Sequence, residues 1–248
     1  MNPLENIDLK YRRRAAHPFS WKHWISNHLT VAKQHVWKKP LQGPNNFTYS
    51  KGLITTRFGD TELYFKFNPI FISRETVSWI TDEFTNEPYK QLDVKNRTVL
   101  DVGCANGTTA IYFMLKGAKE IYCYDIDRKA ASEAQSNASL NGFGTQIHVN
   151  AQMCDLDDFV SHHDSKNMVM KIDCEGGEYP LFDNASDESI LAFDEIIGEY
   201  HRGYLNLKQR LERLGYMFSF TEPSIVSRTW PPKTAIGIFF AKKIGQDR

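Results

Sequence analysis

The fold is decided by the stretch Val99-Leu100-Asp101-Val102-Gly103-Cys104-Ala105-Asn106-Gly107, a hydrophobic strand that ends in Asp-x-Gly-x-x-x-Gly and runs directly into a predicted helix. Glycines at such a turn permit a tight bend and let a ligand approach the backbone. Dinucleotide-binding enzymes carry Gly-x-Gly-x-x-Gly there to seat a pyrophosphate. Here Gly103 and Gly107 are four residues apart and Ala105 replaces the middle glycine, so the loop disfavours a pyrophosphate.

Short apolar strands alternate with helices from Thr98 onward. The predicted strands cover residues 98–102, 120–124, 146–150, 168–172, 195–200, 216–220 and 234–241, and the predicted helices cover 108–115, 128–141, 178–182 and 205–214. This order predicts an α/β protein with a doubly wound, seven-stranded, mostly parallel sheet that is covered on both faces. A proline-containing loop joins the last two strands, which predicts an antiparallel C-terminal hairpin at the edge of the sheet.

A second acidic position supplies the candidate partner of the glycine loop. The second strand ends in Tyr124-Asp125, 22 residues beyond Gly103, where a carboxylate can reach the two hydroxyls of a ribose. A ribose without a pyrophosphate points to S-adenosyl-L-methionine. The alternatives are that Asp101 only braces the loop and that Asp125 and Asp127 only stabilise a helix N-terminus.

The order and spacing of these motifs favour a cofactor site. Beyond the third strand, the adenine is expected to pass Gln152, Met153 and Asp155. The predicted cofactor-binding residues are Asp101, Gly103, Cys104, Asn106, Gly107, Asp125, Ile126, Gln152, Met153 and Asp155.

Three further motifs carry a family resemblance. The second core helix ends in Asn137-Ala138-Ser139-Leu140-Asn141-Gly142, which is typical of class I methyltransferases. The fourth strand runs into Lys171-Ile172-Asp173-Cys174-Glu175-Gly176-Gly177-Glu178, and the fifth ends in Gly198-Glu199-Tyr200-His201. Both are similar to FkbM-type methyltransferases. The chain departs from that family at Asp125-Ile126, where Glu-Pro is usual, and at Gly103-Cys104-Ala105-Asn106-Gly107, where Gly-Ala-Asn-x-Gly is common.

The resemblance implies a methyl acceptor near the carboxyl ends of strands four and five. We predict Asp173, Glu175 and His201 as catalytic residues, because a hydroxyl acceptor benefits from a base that takes its proton. The alternative is structural: Glu175 and Glu178 cap the following helix and brace the loop, and His201 is a satisfied core residue.

The N-terminal region differs in charge from the rest. Residues 1–51 hold nine Lys or Arg against two acidic residues, a balance of +7, whereas the remainder carries −7. The predicted organisation is a basic amphipathic helical segment (1–45), a β-hairpin and helix annex (46–97) and the cofactor-binding core (98–248).

Several functions stay open at this point. The main prediction is O-methylation of a small molecule or glycoside. An RNA methyltransferase is the first alternative, because Arg12-Arg13-Arg14 and the tryptophans at 21, 24 and 37 could contact phosphates and stack on bases. A non-catalytic adenosyl-binding scaffold is the second.

Other compositional features set limits on location and metals. No apolar run reaches the roughly 20 residues of a membrane span and no secretory signal is evident, so a cytoplasmic protein is expected. The four cysteines lack metal-binding spacing, and His162-His163 lies in a predicted polar loop, so no metal is expected.

Overall fold

The computed structural model describes residues 41–42, 47–50, 52–66, 82–164, 166–223 and 235–245. Two sheets organise them. An antiparallel sheet of order β1-β2-β3-β4 contains β1 (Leu41–Gln42), β2 (Thr48–Ser50), β3 (Leu53–Phe58) and β4 (Thr61–Lys66). A seven-stranded sheet follows, with β5 (Thr98–Val102), β6 (Glu120–Tyr124), β7 (Ile147–Asn150), β8 (Met168–Ile172), β9 (Phe193–Tyr200), β10 (Tyr216–Phe220) and β11 (Gly237–Lys243).

The strand order of the large sheet is β10-β11-β9-β8-β5-β6-β7. The strands β5 to β9 pair in parallel, and β11 is antiparallel to both β9 and β10. The predicted doubly wound sheet and its antiparallel C-terminal hairpin are therefore confirmed. The hairpin does not simply extend the edge, since β11 inserts between β9 and β10.

Six helices connect these strands in the described part of the chain. They are α1 (Thr108–Leu115), α2 (Arg128–Leu140), α3 (Leu156–His162), α4 (Glu178–Asn184), α5 (Asp187–Leu191) and α6 (Leu205–Arg213). The prediction of a polar loop around His162 is wrong, because Asp155 accepts hydrogen bonds from the N–H groups of Asp157 and Asp158 and so begins α3. Buried Leu156 and Phe159 attach this short helix to the sheet.

Two hydrophobic cores lie on opposite faces of the large sheet. One face is covered by α1, α2 and the small antiparallel sheet, whose Ile54 and Phe65 are fully buried. The other face is covered by α3 to α6, with Phe159, Phe182 and Leu211 at its centre. Both faces are therefore closed, and the ends of the parallel strands are left to bind ligands.

The N-terminal predictions can be compared with the structure only at the described residues. The hairpin is confirmed as β3 and β4, joined at Gly59-Asp60 with φ +57° at Gly59. The amphipathic helix expected at 19–37 lies outside the described residues, as does most of the helix expected from Ser73 to Phe84, of which residues 82–85 are helical. The proposed boundaries at 45 and 97 remain predictions.

Candidate active site

The glycine loop connects β5 to α1. It lies where the connection after β5 runs to one face of the sheet and the connection after the neighbouring β8 runs to the other. Gly103 has φ +77°, and a Cβ on it would lie 1.8 Å from the backbone oxygen of Asp173. Gly107 has φ +82°, and a Cβ there would lie 3.1 Å from Ala134 of α2. Both glycines are thus required by the close approach of other backbone and by positive φ.

Asp125 follows β6 and holds this loop in place. Its carboxylate accepts hydrogen bonds from the backbone N–H groups of Ala105 and Asp127, each at 2.8 Å. Ala105 itself has a positive φ of 46°, a conformation that this bond stabilises. The carboxylate is partly exposed and can accept further hydrogen bonds from a ligand.

Two apolar side chains stand exposed at the ends of the neighbouring strands β6 and β7. Ile126 and Met153 are each 78% exposed. Gln152 is also exposed, and Asp155 is exposed but uses its carboxylate to cap α3. Ile126, next to Asp125 in the chain, and Met153 are thus exposed apolar side chains after the two strands where the sequence predicts an adenine.

Asp101 occupies a different kind of position. It is fully buried, and its Oδ1 lies 3.0 Å from Nζ of Lys171 on β8. The same Nζ donates to the backbone oxygen of Gly103 at 2.9 Å. Burial raises the pKa of Asp101, and the ammonium of Lys171 opposes that shift. These contacts agree with the structural alternative for Asp101, in which its carboxylate stabilises the loop and does not bind the cofactor.

Four buried polar atoms near the glycine loop have no hydrogen-bond partner among the described residues. They are both carboxylate oxygens of Asp101, of which Oδ1 is ion-paired with Lys171, and Oε2 of Glu83 and Nδ2 of Asn106. The other side-chain atoms of these last two residues contact adjacent residues of α1: Glu83 Oε1 accepts from the hydroxyl of Thr109 at 3.1 Å, and Asn106 Oδ1 accepts from that of Thr108 at 3.4 Å. Glu83 Oε2, an acceptor, and Asn106 Nδ2, a donor, therefore belong to side chains that contact the first turn of α1. Burial raises the pKa of Glu83 to about 7.

The three predicted catalytic residues meet at the carboxyl ends of β8 and β9. His201 Nε2 lies 3.8 Å from Asp173 Oδ1 and 3.4 Å from Glu175 Oε2, and Glu199 Oε2 is 3.6 Å away. On its other side, His201 Nδ1 is 3.1 Å from Oε1 of Glu178. We call these five residues the acidic cluster.

Glu178 orients the imidazole of His201 from the buried side of the acidic cluster. It is fully buried and accepts hydrogen bonds from the backbone N–H groups of Gly176 and His201, at 2.9 and 3.0 Å. Tyr89 donates its hydroxyl to Asp173 Oδ2 at 3.1 Å. Glu175 contrasts with them, because its side chain is 89% exposed and its φ is +55°.

Charge within the acidic cluster is unbalanced. Burial raises the pKa of Glu199 to about 7, with the neighbouring Asp173 carboxylate as a further cause. Burial lowers the pKa of His201, but the hydrogen bond and charge of Glu178 and the charges of Asp173 and Glu199 together outweigh it, so this pKa lies above its ordinary value. No Lys or Arg of the described residues has a nitrogen within 4.0 Å of these four carboxylates.

Sequence reasoning missed Glu83, Tyr89, Lys171 and Glu199 as parts of the site. A signal existed for Lys171, because a lysine within the apolar run Met168–Ile172 must find a buried counter-charge. Glu83 and Tyr89 carry no local signal, since their partners are 26 and 84 residues away in sequence. Cys104 is buried, and its backbone N–H and C=O already form hydrogen bonds with Tyr124 and Gly107.

A family model described as ribosomal protein L11 methyltransferase (PrmA) matches residues 81–170. The ribosomal protein L11 methyltransferase of Acinetobacter baumannii (strain SDF) is 42% identical over 57 residues, which are 23% of this chain and 19% of that protein. That of Streptococcus uberis (strain ATCC BAA-854 / 0140J) is 50% identical over 54 residues, 22% and 17% of the two chains. The chain spans less than a fifth of the length of these relatives.

Solved structures share the architecture. The complex of aTrm5 and tRNALeu matches with a TM-score of 0.50 and 16% identity over 83% of this chain and 59% of that one. Magnesium protoporphyrin IX methyltransferase (ChlM) from Synechocystis PCC 6803 with bound SAM has a TM-score of 0.47 and 19% identity, over 68% and 81%. The first likeness shows the class I methyltransferase fold.

Residues 81–170 are thus similar to methyltransferases, and the fold is that of class I methyltransferases. Among the helices of the described residues, none is long and apolar enough to cross a membrane.

Proposed function

We propose that this chain is an S-adenosylmethionine-dependent methyltransferase and that it methylates a hydroxyl oxygen of a small molecule or glycoside, held at the carboxyl ends of β8 and β9. The acidic cluster is the observation that supports this proposal. Four carboxylates, none with a Lys or Arg nitrogen of the described chain within 4.0 Å, repel the phosphates of a nucleic acid and tolerate a neutral hydroxyl. The resemblance to FkbM-type enzymes at residues 171–178 and a cytoplasmic location remain predictions that accompany it.

The residues present fit the cofactor at three places. Asp125 would hold the ribose hydroxyls, and the exposed Ile126 and Met153 would enclose the adenine. The unpartnered Glu83 Oε2 and Asn106 Nδ2 would pair with the ammonium and carboxylate of the amino-acid end. Each buried polar atom would then gain the hydrogen bond that it lacks.

The chemistry asks little of the protein beyond positioning. When bound, S-adenosylmethionine supplies a methyl carbon on a positively charged sulfur, which keeps both electrons of the broken carbon–sulfur bond and becomes a neutral thioether. The acceptor oxygen forms the new bond to that carbon, and its proton goes to a carboxylate of the acidic cluster. Glu175 is placed for this role because it is exposed and lies 3.4 Å from His201 Nε2.

A polymeric acceptor is the second candidate, and the comparisons favour it. The curated relatives are named for ribosomal protein L11, and one matching structure is a complex with a tRNA. The basic segment at residues 1–51 offers phosphate contacts of the kind that RNA binding needs. However, the matched region ends at residue 170, before the acidic cluster begins, so it covers the proposed cofactor residues and not the proposed acceptor site.

The fate of a labelled methyl group separates these candidates. The full chain is incubated with S-adenosylmethionine carrying a tritiated methyl group and cell extract, and label is counted in small-molecule, RNA and protein fractions. We expect label in the small-molecule fraction, as a methyl ether. Glu175→Gln should slow this labelling about 10²- to 10⁴-fold, and the exposed control Glu188→Gln should not. Label that nuclease or protease releases would refute the proposal.

A further inference from the structure

The acidic cluster contains a set of atoms suited to a cation. One oxygen each from Asp173 and Glu199 and one nitrogen of His201 lie within 4.8 Å of one another. Atoms bound to a common divalent ion at about 2.0–2.2 Å lie about 3–4 Å apart. The distances from His201 Nε2 to these two carboxylates, 3.8 and 3.6 Å, are already in that range.

The imidazole supplies an independent observation. His201 is buried, with only 4% of its surface exposed, and its Nδ1 forms a hydrogen bond with Glu178. Its Nε2 faces Asp173 at 3.8 Å and Glu199 at 3.6 Å, and the exposed Glu175 lies 3.4 Å away. Histidines that bind metals almost always use one ring nitrogen for the ion and give the other to a carboxylate or carbonyl. His201 has this arrangement, with Glu178 as the orienting carboxylate.

The remaining contacts also leave these atoms available. Tyr89 binds Asp173 through Oδ2 and leaves Oδ1 toward His201. Lys171, the nearest buried cation on the same strand, is held by Asp101 and by the backbone of Gly103. Lys171 acts on Asp173 only from beyond 4.0 Å, so a divalent ion bound within the cluster would compensate its negative charge more closely.

From this geometry we propose that Asp173, Glu199 and His201 form a binding site for a divalent transition-metal ion such as Mn²⁺. Two carboxylates and one imidazole suit such an ion. The inference departs from the expectation, drawn from sequence, that no metal is needed. Its role rests on the proposed function: a hydroxyl bound to the ion has a lowered pKa, and Glu175, which is outside the ligand set, remains free to take the proton.

The test measures Mn²⁺ binding directly, by the loss of the free-ion electron paramagnetic resonance signal on adding chelator-treated full-length protein. We expect one Mn²⁺ per chain, bound at least tenfold more weakly by Asp173→Asn and by Glu199→Gln. Glu188→Gln removes an exposed carboxylate from α5 and should bind as the wild type does. Unchanged circular dichroism and S-adenosylhomocysteine affinity would show that the variants are folded.

Two results would overturn the metal site: no saturable Mn²⁺ binding by the wild type, or equal affinity in the wild type and both folded variants. Because the readout involves no methyl transfer, the two proposals fail separately. Mn²⁺ binding together with methylation of RNA would refute the small-molecule acceptor and leave the metal site standing.

Discussion

At the scale of single residues, Asp125 and Gly103 build the same loop from opposite sides. Asp125 holds Ala105 in its left-handed conformation, while Gly103 allows the backbone of Asp173 to approach. Neither contact needs a cofactor, so both positions have a structural role as well as a proposed binding role. Ligand binding and stability must therefore be measured separately for variants at these positions.

Replacing Asp125 by Ala should weaken the binding of S-adenosylhomocysteine about 10- to 150-fold. The loss of a charged hydrogen-bond acceptor costs about 1.5–3 kcal/mol. Isothermal titration calorimetry gives the affinity, and Asp183→Ala, at an exposed carboxylate of α4, is the control. An unchanged affinity in a folded Asp125→Ala variant would remove this residue from the cofactor site.

Glu83 should make stability depend on pH. Its pKa is about 7 in the folded protein and ordinarily 4.5, because burial outweighs the opposing effects of Lys171 and Thr109, while Asp82 adds to the rise. The folded state therefore binds the proton more tightly, and stability contributed by the protonated form is lost as pH rises from about 4.5 through 7.

Glu83→Gln, without cofactor, should therefore be more stable than the wild type at pH 8, by up to about 3 kcal/mol, and should lose this advantage near pH 4.5. Urea unfolding followed by circular dichroism at several pH values measures the difference. Glu188→Gln provides a matched control with no expected trend. A difference between Glu83→Gln and the wild type that stays constant with pH would contradict the assignment.

At the scale of elements, α2 joins the small sheet to the core. β4 is an edge strand, so some of its backbone groups have no strand partner. Asn137 of α2 and Asn141 at the C-terminal end of α2 bind these groups. Asn141 accepts from the N–H of Tyr64 at 2.9 Å and donates to its oxygen at 2.7 Å. Asn137 accepts from the N–H of Lys66 at 2.7 Å and donates to the oxygen of Asn106 at 2.9 Å. Asn137 and Asn141 thus take the place of a neighbouring strand along β4, and Asn137 also bonds the glycine loop.

Asn137→Ala should destabilise the protein by about 2–4 kcal/mol, because it leaves the buried oxygen of Asn106 and the part-buried backbone groups of Lys66 without this partner. Urea unfolding measures this loss. Gln135→Ala, on the exposed face of the same helix, should change stability by less than about 0.5 kcal/mol. Equal and small effects of the two substitutions would show that α2 does not hold β4 in this way.

At the scale of the whole molecule, the parallel sheet brings distant residues to one edge. The loops after β5, β6 and β7 form the proposed cofactor side, and those after β8 and β9 form the acidic cluster. The two sides meet where the backbone of Asp173 contacts Gly103. A methyl donor and its acceptor would therefore face each other across the central strands.

This arrangement predicts which nucleotides stabilise the fold. S-adenosylhomocysteine at about 100 times its Kd should add about 2.7 kcal/mol of stability and raise Tm by about 5–10 °C. NAD at the same concentration should leave Tm unchanged, because the loop lacks the glycine pattern that seats a pyrophosphate. Differential scanning fluorimetry checks both, and a comparable rise with NAD would overturn the interpretation of the loop.

The sequence alone determined the order of the strands in the core, four of the helices between them, and the ends of the strands where chemistry is expected, but not the short helices α3 and α5. Local signals were enough for this: apolar runs of strand length, glycines at a turn, and Asp125 at the right distance from Gly103. The same signals predicted that Asp173, Glu175 and His201 lie near one another, because parallel strands end at a common edge.

Only the tertiary structure decided what each of these groups touches. Glu178 and His201 are 23 residues apart, and Tyr89 and Asp173 are 84 apart, so no periodicity links them. The burial of Asp101 against Lys171 and the unpartnered oxygen of Glu83 likewise arise when separate elements pack. Hydrogen bonding and burial between distant segments depend on their three-dimensional placement, whereas hydrophobic periodicity and turn residues act locally and are legible in the chain.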